Sequence, residues 1–443
     1  MTIHRVSRRA ALQLGAAVAG AALLPAPRRR ASAQGKTLTF WNPGIFPTQD
    51  PNDKTKPVDA FYIYQAAKRF GDANGVEVKI EEQPSDQTMF GKYRTASVAK
   101  NGPDVMGMWS GSYMLAVKEF LEPLGSVFSP EERARITGWE AVTPDFKADS
   151  PDIYGVPAGS DGTTCIFYNK AFFAQAGVDP EAASWPKNNA EFLKMLDTIK
   201  TKTDVTPITL DDVGMVWQSL AYWMSQQIGG AQGVNELVQG KRDFTAPELV
   251  AAAAGWIKMA AYAVPGAESM GGDQAASFFF QKQAAMTTSG SWFIGDASKA
   301  LGDDLGMVKI PDFIETAPIT HGGIGGPGVA LIVSNYSPNK ELGIEFIKFL
   351  MSKDEQEKKA ASGEGRLLNV TDVDVSKYYT SPLFATQQKW ANEPSTIFWN
   401  DNVSPSELTT EILAQGQLAW TGQLSAQDFM AAANAKRDEL LES

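Results

Sequence analysis

Short apolar runs separated by longer amphipathic stretches recur along this chain of 443 residues. The runs are rich in Val, Ile, Leu, Met and Phe, and Gly, Pro, Asp or Asn usually bounds them. This pattern is typical of buried β-strands. The predicted strands are residues 37–41, 76–80, 103–108, 208–210, 284–288, 305–310 and 328–334.

Amphipathic helices are predicted between these runs. In residues 338–361, apolar side chains recur at helical spacing opposite lysine and glutamate, so we expect one helix there, capped by Ser337. Alanine-rich helices are expected at 247–263 and 426–441. The alternation of strands and helices predicts an α/β protein with parallel sheets.

Residues 153–170, IYGVPAGSDGTTCIFYNK, place two short apolar runs on either side of Pro-Ala-Gly-Ser-Asp-Gly. The pattern predicts a strand, a hinge and a second strand. Gly159 and Gly162 can adopt dihedral angles closed to other residues, so a few positions can absorb a rotation between the bodies on each side. Two lobes joined in this way form a cleft with Asp161 at its floor. An ordinary loop between two strands is the alternative.

The N-terminal residues predict the compartment. Arg8 and Arg9 precede an apolar run over residues 10–24, and the small residues 31–33 follow. This is the pattern of a twin-arginine signal peptide, with cleavage expected after Ala33. The apolar run is shorter than the roughly 20 residues that cross a bilayer, so we expect a protein free in the periplasm.

Charge limits the partners of the exported chain. Removal of residues 1–33 leaves 34 basic residues against 51 acidic ones, a net charge near −17. Such a surface repels nucleic acid and anionic lipid. Cys165 is the only cysteine, so no internal disulfide can form. A chain of this length with 43% hydrophobic residues can build two or three domains around apolar cores.

The common cofactor and metal motifs are missing. After cleavage His321 is the only histidine, which excludes zinc sites built from several histidines. Residues 323–328 satisfy G-x-G-x-x-G, but they contain Pro327 and lead into a strand rather than a helix, so they are not a dinucleotide fingerprint. We expect no cofactor, no metal and no catalytic residues.

A secreted glycosidase is the main alternative, because that chemistry needs only two carboxylates and stacking aromatics. Asp211-Asp212 and Asp303-Asp304 are the candidate pairs. Adjacent residues on a strand point to opposite faces, so neither pair places two carboxylates in one site. A solvated turn or a helix start is the other interpretation of both pairs. The lack of repeats disfavours a structural or adhesive role.

Four stretches carry a resemblance to a known family. They are GPDV at 102–105 with Trp109, YGVP at 154–157 leading to YNK at 168–170, AAM at 284–286 with SGSW at 289–292, and GG at 322–323 leading to the strand and helix that follow. In this order they resemble the family 1 extracellular solute-binding proteins, the class of maltose-binding protein. The resemblance implies a monomeric periplasmic receptor, not an enzyme, that binds a sugar and delivers it to the membrane permease of an ABC importer.

The resemblance also implies a fold. It is the two-lobed, type II periplasmic binding protein fold, in which each lobe is a mostly parallel sheet flanked by helices and three hinge crossings join the lobes. Lobe one would contain residues 36–157 and 316–366, and lobe two residues 162–315 and 367–443. The second and third crossings would be residues 311–313 and 366–368. The stretch 42–64 is longer than usual in the family and is a candidate to shape or cover the cleft.

Aromatic residues are the main candidates for sugar contact. Sugar rings present apolar C–H faces edged by hydroxyls, so they bind between flat aromatic faces and planar polar groups. Clefts of open α/β sheets form at the carboxyl ends of strands. Trp292 is the strongest candidate, because similar proteins place a ring-stacking aromatic after the corresponding strand. The candidate tryptophans are Trp41, Trp109, Trp217, Trp292 and Trp399, and those assigned to packing are Trp139, Trp185, Trp223, Trp256, Trp390 and Trp420.

Polar candidates lie close to these aromatics or to the predicted crossings. Asp161 is the preferred acceptor for sugar hydroxyls. Arg366, at the third crossing, is either a ligand contact or part of a hinge salt bridge. Ser110 and Ser112 follow Trp109 at the start of a helix. The remaining candidates are Gly322 and Gly323, which could let the backbone approach a ligand closely.

Overall fold

The computed structural model describes residues 36–50, 53–86, 88–379, 381–391, 393 and 395–442. The predicted signal peptide lies outside these residues. Among the helices described, none is both long and apolar enough to cross a membrane.

Two β-sheets form the framework. The first has the strand order β2-β1-β3-β10-β4 and the second β6-β7-β5-β8, while β9 and β11 form a separate pair. Each predicted strand is present within about two residues of its expected bounds. The strands are β1 (Lys36–Asn42), β2 (Val76–Glu82), β3 (Val105–Trp109), β4 (Val156–Pro157), β5 (Cys165–Asn169), β6 (Thr206–Thr209), β7 (Ala284–Ser289), β8 (Leu305–Lys309), β9 (Gly323–Gly325), β10 (Val329–Val333) and β11 (Thr396–Phe398).

Both sheets are mixed rather than mostly parallel. In the first sheet β1 runs parallel to β3, but β10 runs antiparallel to β3 and β4. In the second sheet β6 is parallel to β7, but β5 is antiparallel to β7 and β8. Strand β5 follows a connection from the first sheet, and β10 follows a connection from β9, which lies outside both sheets.

Helices flank the sheets. They are α1 (Tyr62–Asn74), α2 (Thr88–Val98), α3 (Ser112–Leu115), α4 (Pro130–Arg135), α5 (Lys170–Ala176), α6 (Asn189–Lys202), α7 (Ala221–Gln227), α8 (Ala231–Val238), α9 (Pro247–Ile257), α10 (Gly272–Phe280), α11 (Ile294–Leu301), α12 (Lys340–Leu350), α13 (Lys353–Ser362), α14 (Pro382–Ala391), α15 (Asn400–Val403), α16 (Ser406–Trp420) and α17 (Ala426–Glu442).

The helix expected over residues 338–361 is in fact two helices, α12 and α13. Ser352 interrupts it, because its side chain accepts a hydrogen bond from the backbone N–H of Glu355 and so caps α13. Ser337 does not cap α12, which begins after Asn339. Its hydroxyl instead donates to Asp104 Oδ1 at 2.5 Å.

Each sheet has its own hydrophobic core. Leu38, Phe40 and Ile332 are fully buried in the core of the first sheet, and Phe192 and Trp256 are at most 1% exposed in the core of the second. We call each sheet with its core and flanking helices a lobe. The α/β, two-lobed architecture expected from the sequence is therefore present.

Residues 158–164 connect β4 of the first sheet to β5 of the second. The second connection is at residues 326–328 and not at 311–313 as expected. Asp312 is buried in the second lobe, where Tyr222 donates its hydroxyl hydrogen to Oδ1 of Asp312 at 2.6 Å. Ile324 packs in the second core, and its strand pairs with β11. The chain from 311 to 325 thus stays with the second lobe.

The third connection is longer than the expected residues 366–368. Leu367 packs in a cluster with Phe167 of the second lobe. Leu368, Val370 and Val373 pack in the core of the first lobe, and Val370 pairs with Ile136. The connection thus contacts both lobes and extends from Leu367 to about residue 373.

Candidate ligand-binding site

The three connections lie side by side. The N–H of Asp161 donates to the carbonyl of Gly326 at 2.9 Å, and the N–H of Gly326 donates to Gly162 at 3.0 Å. On the other side, the N–H of Ser160 donates to Leu367 at 2.9 Å. Gly162 and Gly326 have φ angles of 71° and 102°, which favour glycine. The predicted first crossing is thus the middle segment of three hydrogen-bonded segments.

Asp161 lies at the centre of this arrangement and is 5% exposed. Its Oδ1 accepts from Arg366 Nε at 2.5 Å, and its Oδ2 accepts from Trp399 Nε1 at 3.1 Å. Burial raises the pKa of Asp161, while the guanidinium of Arg366 acts in the opposite direction. A Cβ on Gly328 would lie 1.6 Å from Oδ2, so only glycine fits there. Both oxygens expected to bind sugar hydroxyls already accept hydrogen bonds from the protein.

Arg366 forms the hinge salt bridge that was one of its two expected roles. Its guanidinium carbon also lies 5.6 Å from the centre of the Trp292 ring. The rings of Trp292 and Trp399 are 6.3 Å apart at an angle of 35°. The structure therefore brings four predicted residues together, namely Asp161, Trp292, Arg366 and Trp399.

Trp292 is positioned by the glycine two residues before it. Strand β7 ends at Ser289, and a Cβ on Gly290 would lie 2.1 Å from the indole of Trp292. The ring can therefore fold back over the backbone only because Gly290 has no side chain. Trp292 is half-buried, whereas Trp399 is 7% exposed. A half-buried ring beside a charged pair is suited to stacking on a ligand.

A second aromatic group belongs to the first lobe. Trp109, at the end of β3, lies 5.1 Å from Tyr113 and 5.9 Å from Phe90, measured between ring centres. Phe90 and Tyr113 stack at 5.4 Å. Neither partner of Trp109 was among the residues predicted from the sequence. Tyr113 had a usable signal, since it directly follows the candidate Ser112 on the same short helix.

Helix α3 of the first lobe contacts α15 of the second. The amide of Asn402 donates to Ser110 Oγ at 2.9 Å, and that hydroxyl donates to the carbonyl of Pro327 at 2.7 Å. The hydroxyl of Tyr113 donates to Asp401 Oδ2 at 3.1 Å. Ser110 is fully buried and joins protein segments, while Ser112, the first residue of α3, is half-buried.

Asp401 differs from Asp161 in having one unused oxygen. It is 7% exposed, and its Oδ1 has no hydrogen-bond partner among the described residues. Burial raises its pKa to about 7, while the hydroxyl of Tyr113 and the backbone N–H groups of Asp401 and Asn402 act against that rise. Sequence reasoning missed Asp401, because the stretch Asn400-Asp401-Asn402 has no apolar periodicity from which a buried helix could be predicted.

The remaining predicted tryptophans make their contacts elsewhere. Trp41 is 7% exposed and donates from Nε1 to Glu81 at 2.9 Å. Trp217 is 5% exposed in the second core, on the π-helical turn Met215–Leu220 that leads into α7. It lines a small cavity of about 20 Å³ with Asn400 and Ser404, and its buried Nε1 has no partner among the described residues. Both rings are therefore largely covered by protein.

Gly322 and Gly323 are required by packing. A Cβ on Gly322 would lie 2.1 Å from the carbonyl of Ser395, and one on Gly323 would lie 2.4 Å from the side chain of Thr163. Strand β9 can therefore approach β11 and the first connection only with glycine at both positions. Packing therefore accounts for glycine at both positions, and no ligand contact is needed to explain it.

The acidic pairs considered for hydrolysis have structural roles. Oδ1 of Asp211 accepts from the N–H groups of Val213 and Gly214, which is the pattern of a helix start. Asp303 and Asp304 lie on a surface turn, where Asp304 contacts Lys282 at 3.5 Å. The interpretation as turn or helix-start residues accounts for both pairs.

The chain matches one family model and one relative of known sequence. The family model described as bacterial extracellular solute-binding protein matches residues 65–386. An uncharacterized ABC transporter extracellular-binding protein from Pyrococcus horikoshii is 27% identical over 289 residues, which are 60% of this chain and 63% of that relative. The match thus spans less than two thirds of the relative's length.

Two solved structures share the fold. One, from work on xylan utilization by Caldanaerobius polysaccharolyticus, has a TM-score of 0.74 at 22% identity and covers 90% of this chain and 99% of its own. The other is an ABC transporter solute-binding protein from Thermotoga lettingae bound with α-D-tagatose. It has a TM-score of 0.72 at 22% identity and covers 92% of this chain and all of its own. At such identities the likeness concerns the fold.

Proposed function

Because this chain belongs to the bacterial extracellular solute-binding protein family and has its two-lobed type II fold, we propose that it is the sugar receptor of an ABC importer. It captures a mono- or oligosaccharide or a polyol between its lobes. It then delivers the ligand unchanged to a membrane permease, whose ATPase subunits supply the energy. Solute binding is the function of the family, so a glycosidase is set aside.

The observation that carries the proposal is the half-buried Trp292 beside the paired side chains of Asp161, Arg366 and Trp399. Flat aromatic and guanidinium faces next to fixed polar groups are suited to the alternating C–H and hydroxyl surfaces of a sugar ring. The complex of the Thermotoga lettingae protein with α-D-tagatose supports a carbohydrate as the ligand class.

Closure about the three connections is the proposed mechanism. A ligand bound to one lobe gains contacts to the other only when the lobes close, so it shifts the population toward the closed form. Micromolar affinity requires about 8 kcal/mol. An aromatic stack adds only about 0.5 to 1.5 kcal/mol beyond area burial, so binding needs Trp292, at least one further aromatic and several hydrogen bonds together.

The cellular setting is part of the proposal. Residues 1–33 act as a twin-arginine signal that is cleaved after Ala33, and the mature protein is a monomer in the periplasm. The family name and the acidic composition support an exported protein. N-terminal sequencing of the exported protein should begin at Gln34.

The first test is a thermal-shift screen against sugars, including D-tagatose and xylo-oligosaccharides. A ligand present at 100 times its dissociation constant stabilises the folded state by about 2.7 kcal/mol, which gives a clear rise in melting temperature. The bound sugar should be recovered intact. A panel without any hit, or release of new reducing ends, would contradict the proposal.

Trp292→Ala tests the site itself. Loss of a central stacking ring should weaken binding of the best panel sugar by about 30-fold or more, in line with about 2 kcal/mol for a binding hot spot. The matched control is Trp185→Ala, because Trp185 is also half-buried but packs on Phe173 in the second lobe. Calorimetry should show a loss only for Trp292→Ala. Affinity within twofold of wild type in that variant would remove Trp292 from the site.

A further inference from the structure

Two buried aspartates lie near the contact between the lobes, and they differ in how many partners they have. Asp161 has both carboxylate oxygens occupied, by Arg366 and Trp399. Asp401 has one oxygen occupied, by the hydroxyl of Tyr113. Its Oδ1 is buried and has no partner among the described residues. Leaving a buried hydrogen-bond acceptor without a donor costs free energy, so Oδ1 is expected to accept a hydrogen bond from a group outside the protein.

The position of Asp401 indicates which donor that is. Its helix α15 is held on the second lobe by Asn400, whose amide donates to Ser225 Oγ at 2.6 Å. Tyr113, its partner, lies on α3 of the first lobe beside Trp109. The unused oxygen thus lies at a point where the two lobes meet, close enough to Asp161 for their charges to interact.

We propose that Asp401 is a ligand-binding residue whose Oδ1 accepts a hydrogen bond from a hydroxyl group of the carbohydrate held between the lobes. It takes the role that the sequence analysis gave to Asp161. This inference rests on the proposed function, because a polyhydroxylated ligand supplies the donor. Tyr113 orients the carboxylate through its other oxygen, which leaves Oδ1 for the ligand.

Protonation of Asp401 should also change the affinity for sugar. Tyr113 and Asp161 are the titratable groups that act on the carboxylate of Asp401. Asp161 is itself paired with the guanidinium of Arg366. The ionised carboxylate is the stronger acceptor. Since burial raises the pKa of Asp401 to about 7, sugar binding should weaken as the pH falls through 7 and should be strongest above it.

The experiment compares Asp401→Asn with Asp312→Asn by calorimetry at pH 5.5, 7 and 8. Asp312 is the matched control, because it is 3% exposed and accepts from a tyrosine hydroxyl, that of Tyr222, but lies within the second lobe. The probe is the panel sugar that gives wild type its largest thermal shift.

We expect Asp401→Asn to bind the probe at least tenfold more weakly at pH 8, in line with the loss of a bond to a charged group, and to lose most of the pH dependence. Asp312→Asn should lower the melting temperature while keeping wild-type affinity. If wild type binds the probe and Asp401→Asn binds within twofold with unchanged pH dependence, this inference fails and the proposed function stands. If no panel sugar binds wild type, both fail.

Tyr113→Phe keeps the inference testable if Asp401→Asn does not fold. The hydroxyl of Tyr113 lowers the pKa of Asp401, so its removal should raise that pKa further. The midpoint of the pH dependence of binding should then move to higher pH, and affinity should recover at pH 8 or above. An unchanged midpoint in a folded Tyr113→Phe protein would overturn the assignment.

Discussion

The three connections and the contact of α3 with α15 both join the lobes, but they do so with different bonds. The connections pair through backbone groups, as between Asp161 and Gly326, and the one carboxylate among them is fully paired. The α3–α15 contact depends on side chains, and one carboxylate oxygen in it is unused. The backbone hydrogen bonds between the connections do not depend on a ligand, whereas the side-chain hydrogen bonds between α3 and α15 can break when the lobes open. The first region is therefore suited to be a hinge, and the second to open and to bind.

The largest effect should follow from breaking the charge pair of the hinge. Asp161→Ala leaves the guanidinium of Arg366, which is only 15% exposed, without its partner and removes the acceptor of Trp399. Loss of one partner of a buried pair typically costs about 3 to 5 kcal/mol. Urea unfolding should show a destabilisation of that order.

Asp72→Ala is the control for this prediction. Asp72 and Lys68 form an ion pair whose side chains are 68% and 74% exposed. Exposed pairs contribute about 0 to 1 kcal/mol, so this variant should unfold close to wild type. Equal losses in the two variants would mean that the Asp161 pair does not hold the hinge together.

Much of the fold could be predicted from the sequence. Strands such as β3 and β10 are continuous apolar runs, because both faces of their sheet are covered, and the first connection is marked by Pro157, Gly159 and Gly162. The second connection was misplaced because Pro311 resembles a loop residue. The hydrogen bond of Asp312 with Tyr222 and the packing of Ile324 show that the chain there remains in the second lobe.

The candidate site was predictable in part. Asp161, Trp292 and Arg366 follow strands or crossings, so their positions in the sequence indicate a cleft. Trp217 has the same kind of position, yet it is buried, because the exposure of an aromatic depends on helices that pack on it from distant parts of the chain. Asp401 lies on a helix of four residues, too short to have a hydrophobic period.

Gly111→Ala should disturb the α3–α15 contact. A Cβ on Gly111 would lie 2.2 Å from the carbonyl of Asn402, and Gly75, with nothing within 4 Å, shares its positive φ near 65°. Gly75 has left-handed helical angles, so alanine there should cost about 1 to 2 kcal/mol. Gly111, with φ 65° and ψ −142°, lies in a region open almost only to glycine, so alanine there should cost up to about 3 kcal/mol. Only Gly111→Ala should weaken sugar affinity, because apparent affinity falls with the fraction of molecules that can close.

Calorimetry of sugar binding and small-angle scattering would check this prediction. We expect Gly111→Ala to have a larger radius of gyration than wild type in the presence of sugar, while Gly75→Ala closes normally. Equal affinities in the two variants would show that α3 and α15 need not meet for binding.

The smallest effect should come from the stretch 42–64, which was expected to shape or cover the cleft. Asp50 in this stretch is 8% exposed and accepts from Lys299 Nζ of α11, in the second lobe, at 2.8 Å. Lys299 is half-exposed and also contacts Asp296 of its own helix at 3.4 Å, so its bond to the buried Asp50 should contribute only about 1 kcal/mol to closure of the lobes. Lys299→Met should therefore weaken sugar binding by no more than about fivefold.

Salt separates this charge effect from a loss of packing. The difference between Lys299→Met and wild type should shrink when the salt concentration rises from 0.05 to about 0.5 M, because salt screens the half-exposed charge of Lys299. Lys68→Met, which removes the exposed partner of Asp72 on the first lobe, should change affinity at neither concentration. A loss that persists at high salt would mean that the stretch 42–64 acts by packing on the ligand or on α11. A loss of sugar affinity of more than tenfold would mean that the stretch 42–64 contributes to binding as much as the α3–α15 contact does.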